Sequence, residues 1–261
     1  MSSIVTSEGI VHYEVEGRGK PVVFLHGWLN SWDVWRDTMI ALSSLHRYKI
    51  YALDFWGFGD SAKRKAPPFQ IPTYVSMVHQ FLDIMGIEKA PIIGHSMGGT
   101  VAMSLALEHP ACVEKVAVVG SPMDGRSLNI LLKLAGMRSI AILVWRIPYI
   151  LRFIVWLMIA RDGPKVHRMI ERDLSRTTLE AFFRSIDSLR RTDLRPRLRE
   201  VRMPALGIFG RRDNIVDPRQ AEVMRAYIPH AQVWVLERSR HFPMIDEPEQ
   251  FNGIVVDFLE Q

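Results

Sequence analysis

The stretch Gly94-His95-Ser96-Met97-Gly98-Gly99 decides the fold of this 261-residue chain. It follows a short apolar run that ends at Ile93 and precedes the helix-like run Thr100–Leu107. This is a G-x-S-x-G pattern between a strand and a helix, the context in which the pattern carries chemistry. A serine on so sharp a turn projects its hydroxyl above the sheet, and side chains at positions 94 and 98 would collide with the turn. We therefore expect Ser96 to be a nucleophile.

The alternation of strand and helix continues over most of the chain, which predicts βαβ units around a mostly parallel sheet. The predicted core strands are Val22–Leu25, Ile50–Leu53, Pro91–Ile93, Val116–Val119, Leu206–Phe209 and Val233–Leu236, preceded by a hairpin of Ser3–Thr6 and Ile10–Glu14. The predicted helices are Trp32–Leu45, Thr73–Met85, Met97–Glu108, Arg219–Tyr227 and Glu249–Leu259. The expected fold class is α/β.

The alternation of strands and helices stops between Val119 and Leu206, where no segment has the pattern of a strand. Within this interval the stretch Thr177–Glu180 has the spacing of a capping box. Apolar residues at helical spacing begin within this stretch and continue beyond it. They are Leu179, Phe182, Phe183, Ile186 and Leu189. We interpret the interval as a helical insertion.

The segment Ile140–Ala160 is unusually apolar, with 18 apolar residues among its 21. Its length alone would suit a membrane-spanning helix. Arg146 and Arg152 oppose that interpretation, because each would cost about 2.5–3.5 kcal/mol near the centre of a bilayer. Pro148 would also kink or divide such a helix. We favour buried helices, and a surface-seeking lid that touches membrane or lipid stays as the alternative.

The charge of the chain is uneven. The net charge is +5, but residues 124–200 alone carry 16 Lys/Arg against 8 Asp/Glu, a net charge of +8. A basic segment favours acidic substrates or an anionic membrane surface, although solvated helix faces are the commoner explanation. The chain has no aromatic–basic nucleic-acid motif, so we expect no nucleic-acid partner.

Two further features bear on the compartment. The single cysteine, Cys112, allows no internal disulfide, and we interpret it as a small packing residue rather than a catalytic thiol. Residues Met1–Val5 show no basic region followed by an apolar stretch, so no secretory signal is predicted. A cytoplasmic location follows as the default expectation.

Four motifs of the sequence resemble those of the α/β-hydrolase superfamily. They are His26-Gly27-Trp28, the glycine-rich stretch Asp54–Ser61, the turn at Ser96, and the C-terminal segments that carry Asp213 and His241. The resemblance covers essentially the whole chain and is more specific for the fold than for the substrate. It implies an α/β-hydrolase core of residues 1–122 and 203–261, with residues 123–202 inserted between two core strands as a helical cap.

The resemblance also implies which residues assist Ser96. In this superfamily the chain order is serine, acid, histidine. His241, after the last predicted strand, stands at the position of the base. Asp213 stands at the position of the acid, in a turn that resembles the family's G-x-x-D. Asp124 is the competing acid, because some relatives place theirs after the corresponding strand, whereas Asp217 is interpreted as a helix N-cap.

By position, the backbone N–H groups of Trp28 and Met97 are expected to form the oxyanion hole. Gly27 would let its loop approach the nucleophile, and His26 would hold that loop in shape. The stretch Asp54–Ser61 is interpreted as a structural turn, since it lacks the Lys-Ser/Thr ending of a phosphate loop. Aromatic residues of the insertion predict a predominantly apolar pocket. The predicted substrate-binding residues are Trp28, Trp145, Tyr149, Phe153 and Phe182.

These features together predict a serine hydrolase that cleaves a carboxylic ester of a predominantly apolar substrate through an acyl-serine intermediate. C–C bond hydrolase, thioesterase, lactonase and perhydrolase activities stay open, because they would use the same three residues. A ligand-binding protein that retains the fold is the alternative of another class. No cofactor is expected, and no metal, since no His/Cys/Asp/Glu cluster has ligand spacing.

Overall fold

The computed structural model describes residues 2–62, 68–135, 153, 156, 159 and 162–261. Eight strands form one sheet in the order β1-β2-β4-β3-β5-β6-β7-β8. Strand β2 pairs antiparallel with β1 and β4, and every other pair is parallel. The strands are β1 Ser2–Val5, β2 Ile10–Gly17, β3 Lys20–Leu25, β4 Tyr48–Leu53, β5 Ala90–His95, β6 Val113–Val119, β7 Ala205–Gly210 and β8 Gln232–Leu236. The predicted mostly parallel sheet is confirmed.

Nine α-helices have both of their ends in the described part of the chain. They are α1 Arg36–Ser43, α2 Ile71–Ile84, α3 Met97–Glu108, α4 Ile130–Ala135, α5 Pro164–Ser175, α6 Leu179–Arg191, α7 Gln220–Tyr227, α8 Pro243–Asp246 and α9 Pro248–Glu260. The predicted helix Trp32–Leu45 is divided, because Trp32–Trp35 forms a tighter 3₁₀ turn that buries Trp35 against Phe24. Further 3₁₀ turns are Pro110–Cys112, Gly125–Ser127 and Leu198–Glu200.

The central strands are apolar along their whole length because helices cover both faces of the sheet. Every residue of β5 and every residue of β7 is buried. By contrast, β1 alternates between half-buried and exposed residues, as expected for an edge strand with one face in solvent. The turn at Ser96 therefore follows a fully buried strand in the middle of the sheet.

The interval between β6 and β7 contains α4, α5 and α6, and its described residues form no strand of the sheet. Thr178 caps α6, since its Oγ1 accepts the Ala181 N–H at 3.1 Å. The described residues include no helix that is long and apolar enough to cross a membrane. Trp145, Tyr149 and most of the segment 140–160 lie outside the described residues.

The two ends of this interval meet in a short antiparallel neck. Asp124 and Asp193 form an isolated β-bridge. On either side of it, the Gly125 N–H donates to Thr192 O at 2.9 Å and the Leu194 N–H donates to Met123 O at 2.8 Å. The two ends of the interval are therefore paired with each other near residues 123–125 and 192–194, and a second isolated bridge joins Leu128 to Val216. The boundaries 1–122, 123–202 and 203–261 stay a prediction.

Candidate active site

Ser96 stands on a strained turn between β5 and α3. Its φ of 52° and ψ of −117° are unusual for a residue with a Cβ, and its N–H donates to Val119 O at 2.8 Å. The turn leaves no room beside it. A Cβ on Gly94 would lie 2.2 Å from Gly98 O, and a Cβ on Gly98 would lie 2.4 Å from Leu25 O. The glycines that frame Ser96 are therefore required by close backbone contacts.

His241 and Asp213 form the hydrogen-bonded pair expected from the sequence. The His241 Nδ1 lies 2.8 Å from Asp213 Oδ2, and both side chains are buried. The other carboxylate oxygen accepts the N–H groups of Ile215 and Val216 at 2.8 and 3.0 Å. These bonds fix the carboxylate, so that Nδ1 of the imidazole carries the proton and Nε2 keeps a free lone pair.

The loop that carries His241 is held by side chains on both sides. Glu247 Oε2 accepts the Ser239 hydroxyl at 2.6 Å, and Asp246 Oδ2 accepts the Arg240 N–H at 2.7 Å. His95 Nε2 donates to His241 O at 2.8 Å. Burial and the nearby His241 hold the pKa of His95 well below its usual range, so His95 is a neutral donor. This contact positions the predicted base.

The competing acids have other partners. Asp124 accepts the Arg126 N–H at 2.9 Å and pairs with Arg195 at 3.0 Å. Asp217 accepts the Arg219 N–H at 3.0 Å and forms a salt bridge with that arginine, just before α7. Of the three candidate acids, only Asp213 contacts the imidazole of His241.

The loop after β3 lies against the turn at Ser96. A Cβ on Gly27 would stand 3.1 Å from the Cβ of Ser96, which explains the glycine. His26 Nε2 accepts the Phe55 N–H at 3.0 Å, so Nδ1 carries the proton and donates to Gly27 O at 2.7 Å. The loop is thus tied to the end of β4, in agreement with the structural role predicted for His26. The assignment of the Trp28 and Met97 N–H groups to the oxyanion hole stays a prediction.

A cavity lies above Ser96 and contains about 510 Å³ of empty space, including the part open to solvent. Its wall comes from the core loops and from the insertion, and most of it is apolar. The lining residues are Trp28, Leu29, Asn30, Ser96, Leu128, Leu132, Ile159, Ile170, Ile186, Leu189, Ile215, His241 and Phe242. Ser96 and His241 therefore face one apolar space.

The predicted aromatic pocket residues have different positions. Trp28 lines the cavity, and its indole N–H donates to Phe182 O at 2.8 Å. Phe182 packs on the Trp28 ring, with the ring centroids 4.7 Å apart, behind the cavity wall rather than in it. Phe153 is 60% exposed and does not line the cavity. The aliphatic residues of α5 and α6 line the cavity instead.

The turn Asp54–Ser61 contains a group of possible metal ligands that the sequence spacing did not reveal. His12, Asp54 and Asp60 bring one ligand atom each within 4.8 Å of one another. Both oxygens of Asp54 already have donors, because Oδ1 accepts the Trp32 N–H and Oδ2 accepts the Asp60 N–H and His12 Nδ1. The group therefore stabilises the turn, and we assign no metal to it.

Asp162 is a buried carboxyl group near the predicted base. Burial and the nearby Asp246 raise its pKa to about 6, whereas His241 and Arg240 oppose the rise. Neither of its carboxylate oxygens has a hydrogen-bond partner in the described part of the chain. The sequence offered no signal for Asp162, since its surroundings come from segments distant along the chain.

The comparisons agree with this geometry at the level of the family. The model of the α/β hydrolase fold family matches residues 20–139 and 164–248. The chain belongs to the α/β hydrolase fold family.

Three similar proteins share between 22% and 29% sequence identity with this chain. An uncharacterized protein of Mycobacterium tuberculosis is 27% identical over 95% of this chain and 77% of its own length. A pimeloyl-[acyl-carrier protein] methyl ester esterase of Aeromonas hydrophila is 29% identical over 95% of this chain and 99% of its own length. The solved structure of an esterase from Exiguobacterium antarcticum has a TM-score of 0.87 at 22% identity and covers 100% of this chain and 99% of the other. This last likeness concerns the fold.

Proposed function

We propose that this protein is a serine hydrolase that cleaves a carboxylic ester through an acyl-Ser96 intermediate. The observation that carries the proposal is the hydrogen bond between His241 and Asp213, because His241 lines the same cavity as the strained Ser96. The esterase activity named for the Aeromonas hydrophila relative supports an ester as the substrate class.

The mechanism follows from the hydrogen bonds. Asp213 holds the proton of His241 on Nδ1, so Nε2 is the atom that removes the Ser96 proton as the hydroxyl attacks the ester carbonyl. The N–H groups of Trp28 and Met97 stabilise the negative oxygen that develops. His241 then gives its proton to the leaving alcohol, and it activates water to release the acid from Ser96.

The Ser96→Ala variant tests this proposal. Removal of the nucleophile is expected to lower kcat on a nitrophenyl ester by at least about 10⁴-fold, because the acyl intermediate can no longer form. Ser104→Ala is the matched control, since Ser104 is a buried serine on α3 that does not line the cavity. Stoichiometric labelling by a fluorophosphonate should be lost in the first variant alone. Full ester hydrolysis by Ser96→Ala would overturn the proposal.

The substrate is expected to be predominantly apolar. Most of the cavity wall consists of Leu, Ile and Phe side chains, which favour an apolar acyl or alcohol group over a charged one. Thioesters, lactones, peracid formation and C–C cleavage would use the same residues and stay as alternatives. Tight ligand binding without turnover or fluorophosphonate labelling would favour a receptor-like protein instead.

We also infer that the insertion touches an anionic lipid surface. Ile130, Leu134, Phe153 and Trp156 are exposed, and the rings of the last two lie 6.0 Å apart. Three residues of the same segments, Leu128, Leu132 and Ile159, face the cavity. Exposed apolar and aromatic side chains on a segment with a net charge of +8 suit the interface of an anionic bilayer. A cytoplasmic location stays a prediction and agrees with such peripheral contact.

A further inference from the structure

Asn30 is a polar side chain of the cavity wall that the proposed chemistry does not use. Four lining residues carry side-chain nitrogen or oxygen atoms, namely Trp28, Asn30, Ser96 and His241. The indole of Trp28 already donates to the backbone of Phe182. Ser96 and His241 carry out the acyl transfer. Asn30 is left without a role in the reaction.

The orientation of the Asn30 amide is set by its backbone neighbour. Its Nδ2 donates to Trp28 O at 3.0 Å. A carbonyl can only accept, so the amide nitrogen must face Trp28 and Oδ1 must face away from it. Asn30 is 2% exposed, and its Oδ1 has no partner among the described residues. A buried acceptor left unpaired costs free energy, so it favours a ligand that brings a donor.

The amide also lies close to the nucleophile. Both residues border Gly27. A Cβ placed on Gly27 would lie 3.1 Å from the Cβ of Ser96 and 3.3 Å from Asn30 Nδ2. Asn30 and Ser96 therefore converge on the same side of the loop. A donor that reaches Asn30 while the ester is at Ser96 must sit within a few bonds of the ester group.

We propose that Asn30 is a specificity-determining residue that accepts a hydrogen bond from a hydroxyl or N–H group of the ester substrate, a few bonds from the bond that is cleaved. The proposal rests on the esterase function proposed above. The preferred substrate is then an apolar ester with one neutral donor near its reacting carbon, rather than a plain hydrocarbon ester. A single polar group in an apolar wall orients a ligand in this way.

The test uses two pairs of esters that differ by one hydroxyl. The first pair places it on the acyl side (nitrophenyl 3-hydroxybutyrate against nitrophenyl butyrate), and the second on the alcohol side (2-hydroxyethyl butyrate against propyl butyrate). The wild-type protein should favour the hydroxyl ester in at least one pair by about tenfold in kcat/KM. In Asn30→Leu, which keeps the volume but removes the acceptor, that preference should disappear.

The control variant is Ile170→Val, which trims an apolar residue of the cavity wall and should change both rates of a pair in parallel. A wild-type protein with no preference in either pair overturns the proposal, and this measurement needs no variant. An equal preference in Asn30→Leu also overturns it, and so does an equal loss of both rates, which would mean that Asn30 acts by holding the Trp28 loop through its bond to Trp28 O. Fluorophosphonate labelling of Asn30→Leu tests Ser96 separately. If the variant is still labelled, the Ser96 assignment stands whatever the ester preference shows.

Discussion

Asp162 lies just before α5, where the insertion approaches the loop that carries His241. The charged groups that influence it are Asp246, Arg240, His241 and Asp213. No cation makes a hydrogen bond with its carboxylate in the described part of the chain. Ionisation therefore places a negative charge in a buried position, where burial disfavours the charged form and no described residue donates a hydrogen bond to the carboxylate.

This arrangement predicts that stability falls as Asp162 ionises. The folded-state pKa of about 6 lies above the ordinary value of 3.8, so the carboxyl group favours the folded state below about pH 4 and loses that contribution as the pH rises through 6. The shift corresponds to at most about 3 kcal/mol. Asp162→Asn should therefore raise the free energy of unfolding by about 1–3 kcal/mol at pH 8, with little change at pH 4.

Urea unfolding of both proteins at the two pH values measures this difference. Asp187→Asn serves as the control, since Asp187 is half-buried and already paired with Arg190 and Arg191. A gain of equal size at pH 4 and pH 8 would contradict the ionisation argument. It would indicate better packing of the asparagine instead.

At the scale of single residues, the sequence indicated those candidate site residues that have a local pattern. Ser96 stands in a turn whose glycines are visible at fixed spacing, and Asp213 and His241 follow predicted strands. Asn30 and Asp162 had no such signal, because an unpaired oxygen is a property of the surroundings of a residue. Those surroundings combine segments that are between 51 and 84 positions apart in the sequence.

At the scale of elements, α5 is attached to the core by charged side chains. Arg172 donates to Asp33 at 2.7 Å and to Asp173 at 2.8 Å, and the Ser31 hydroxyl donates to Asp173 at 2.9 Å. Asp173 is buried, and burial raises its pKa even with Arg172 beside it. Lys165 also pairs with Asp37 of α1.

Removal of Arg172 should loosen this attachment. Arg172→Ala leaves the buried Asp173 without its counter-ion, which we expect to lower the free energy of unfolding by about 1–2 kcal/mol, less than for a fully buried pair because Arg172 is 38% exposed. Arg168→Ala, one turn earlier on the exposed side of α5, should change it by less than about 0.5 kcal/mol. Equal effects of the two variants in urea unfolding would exclude a special role for the Asp173 contact.

The elements themselves were largely predictable, and their ends were not. Apolar runs located the core strands, because strands covered on both faces need apolar residues throughout. The predicted strand Pro91–Ile93 extends to Ala90–His95, since pairing with neighbouring strands continues beyond the apolar centre. The charged attachment of α5 was hidden, because Arg172 and Asp173 look like ordinary residues of a solvated helix face.

At the scale of the whole molecule, the insertion carries both an excess of positive charge and several exposed apolar side chains. This coincidence predicts that the Ser96→Ala protein floats with vesicles of equal parts phosphatidylcholine and phosphatidylglycerol, but not with phosphatidylcholine alone. Trp156→Ser should weaken the binding about fivefold to tenfold, because it removes an aromatic anchor. Vesicle flotation at low and high salt measures both effects.

Trp234→Ser is the matched control for that experiment. Trp234 is 47% exposed and Trp156 is 51% exposed, but Trp234 lies on the last strand of the sheet, away from the insertion. Its replacement should leave the binding unchanged. An equal loss in both variants would point to general surface hydrophobicity, and no flotation at either salt concentration would remove the lipid proposal.

The neck at residues 123–125 and 192–194 has a consequence for how this protein can diversify. A segment whose two ends pair with each other can be exchanged as a unit if its other contacts with the core are rebuilt, namely the Leu128–Val216 bridge and the ion pairs of α5. The entropy of closing such an insertion grows slowly with its length, so replacements of different size are tolerated. Grafting another helical segment at Met123 and Leu194, with those contacts rebuilt, would therefore change the cavity wall above Ser96 while the candidate site in the core stays the same.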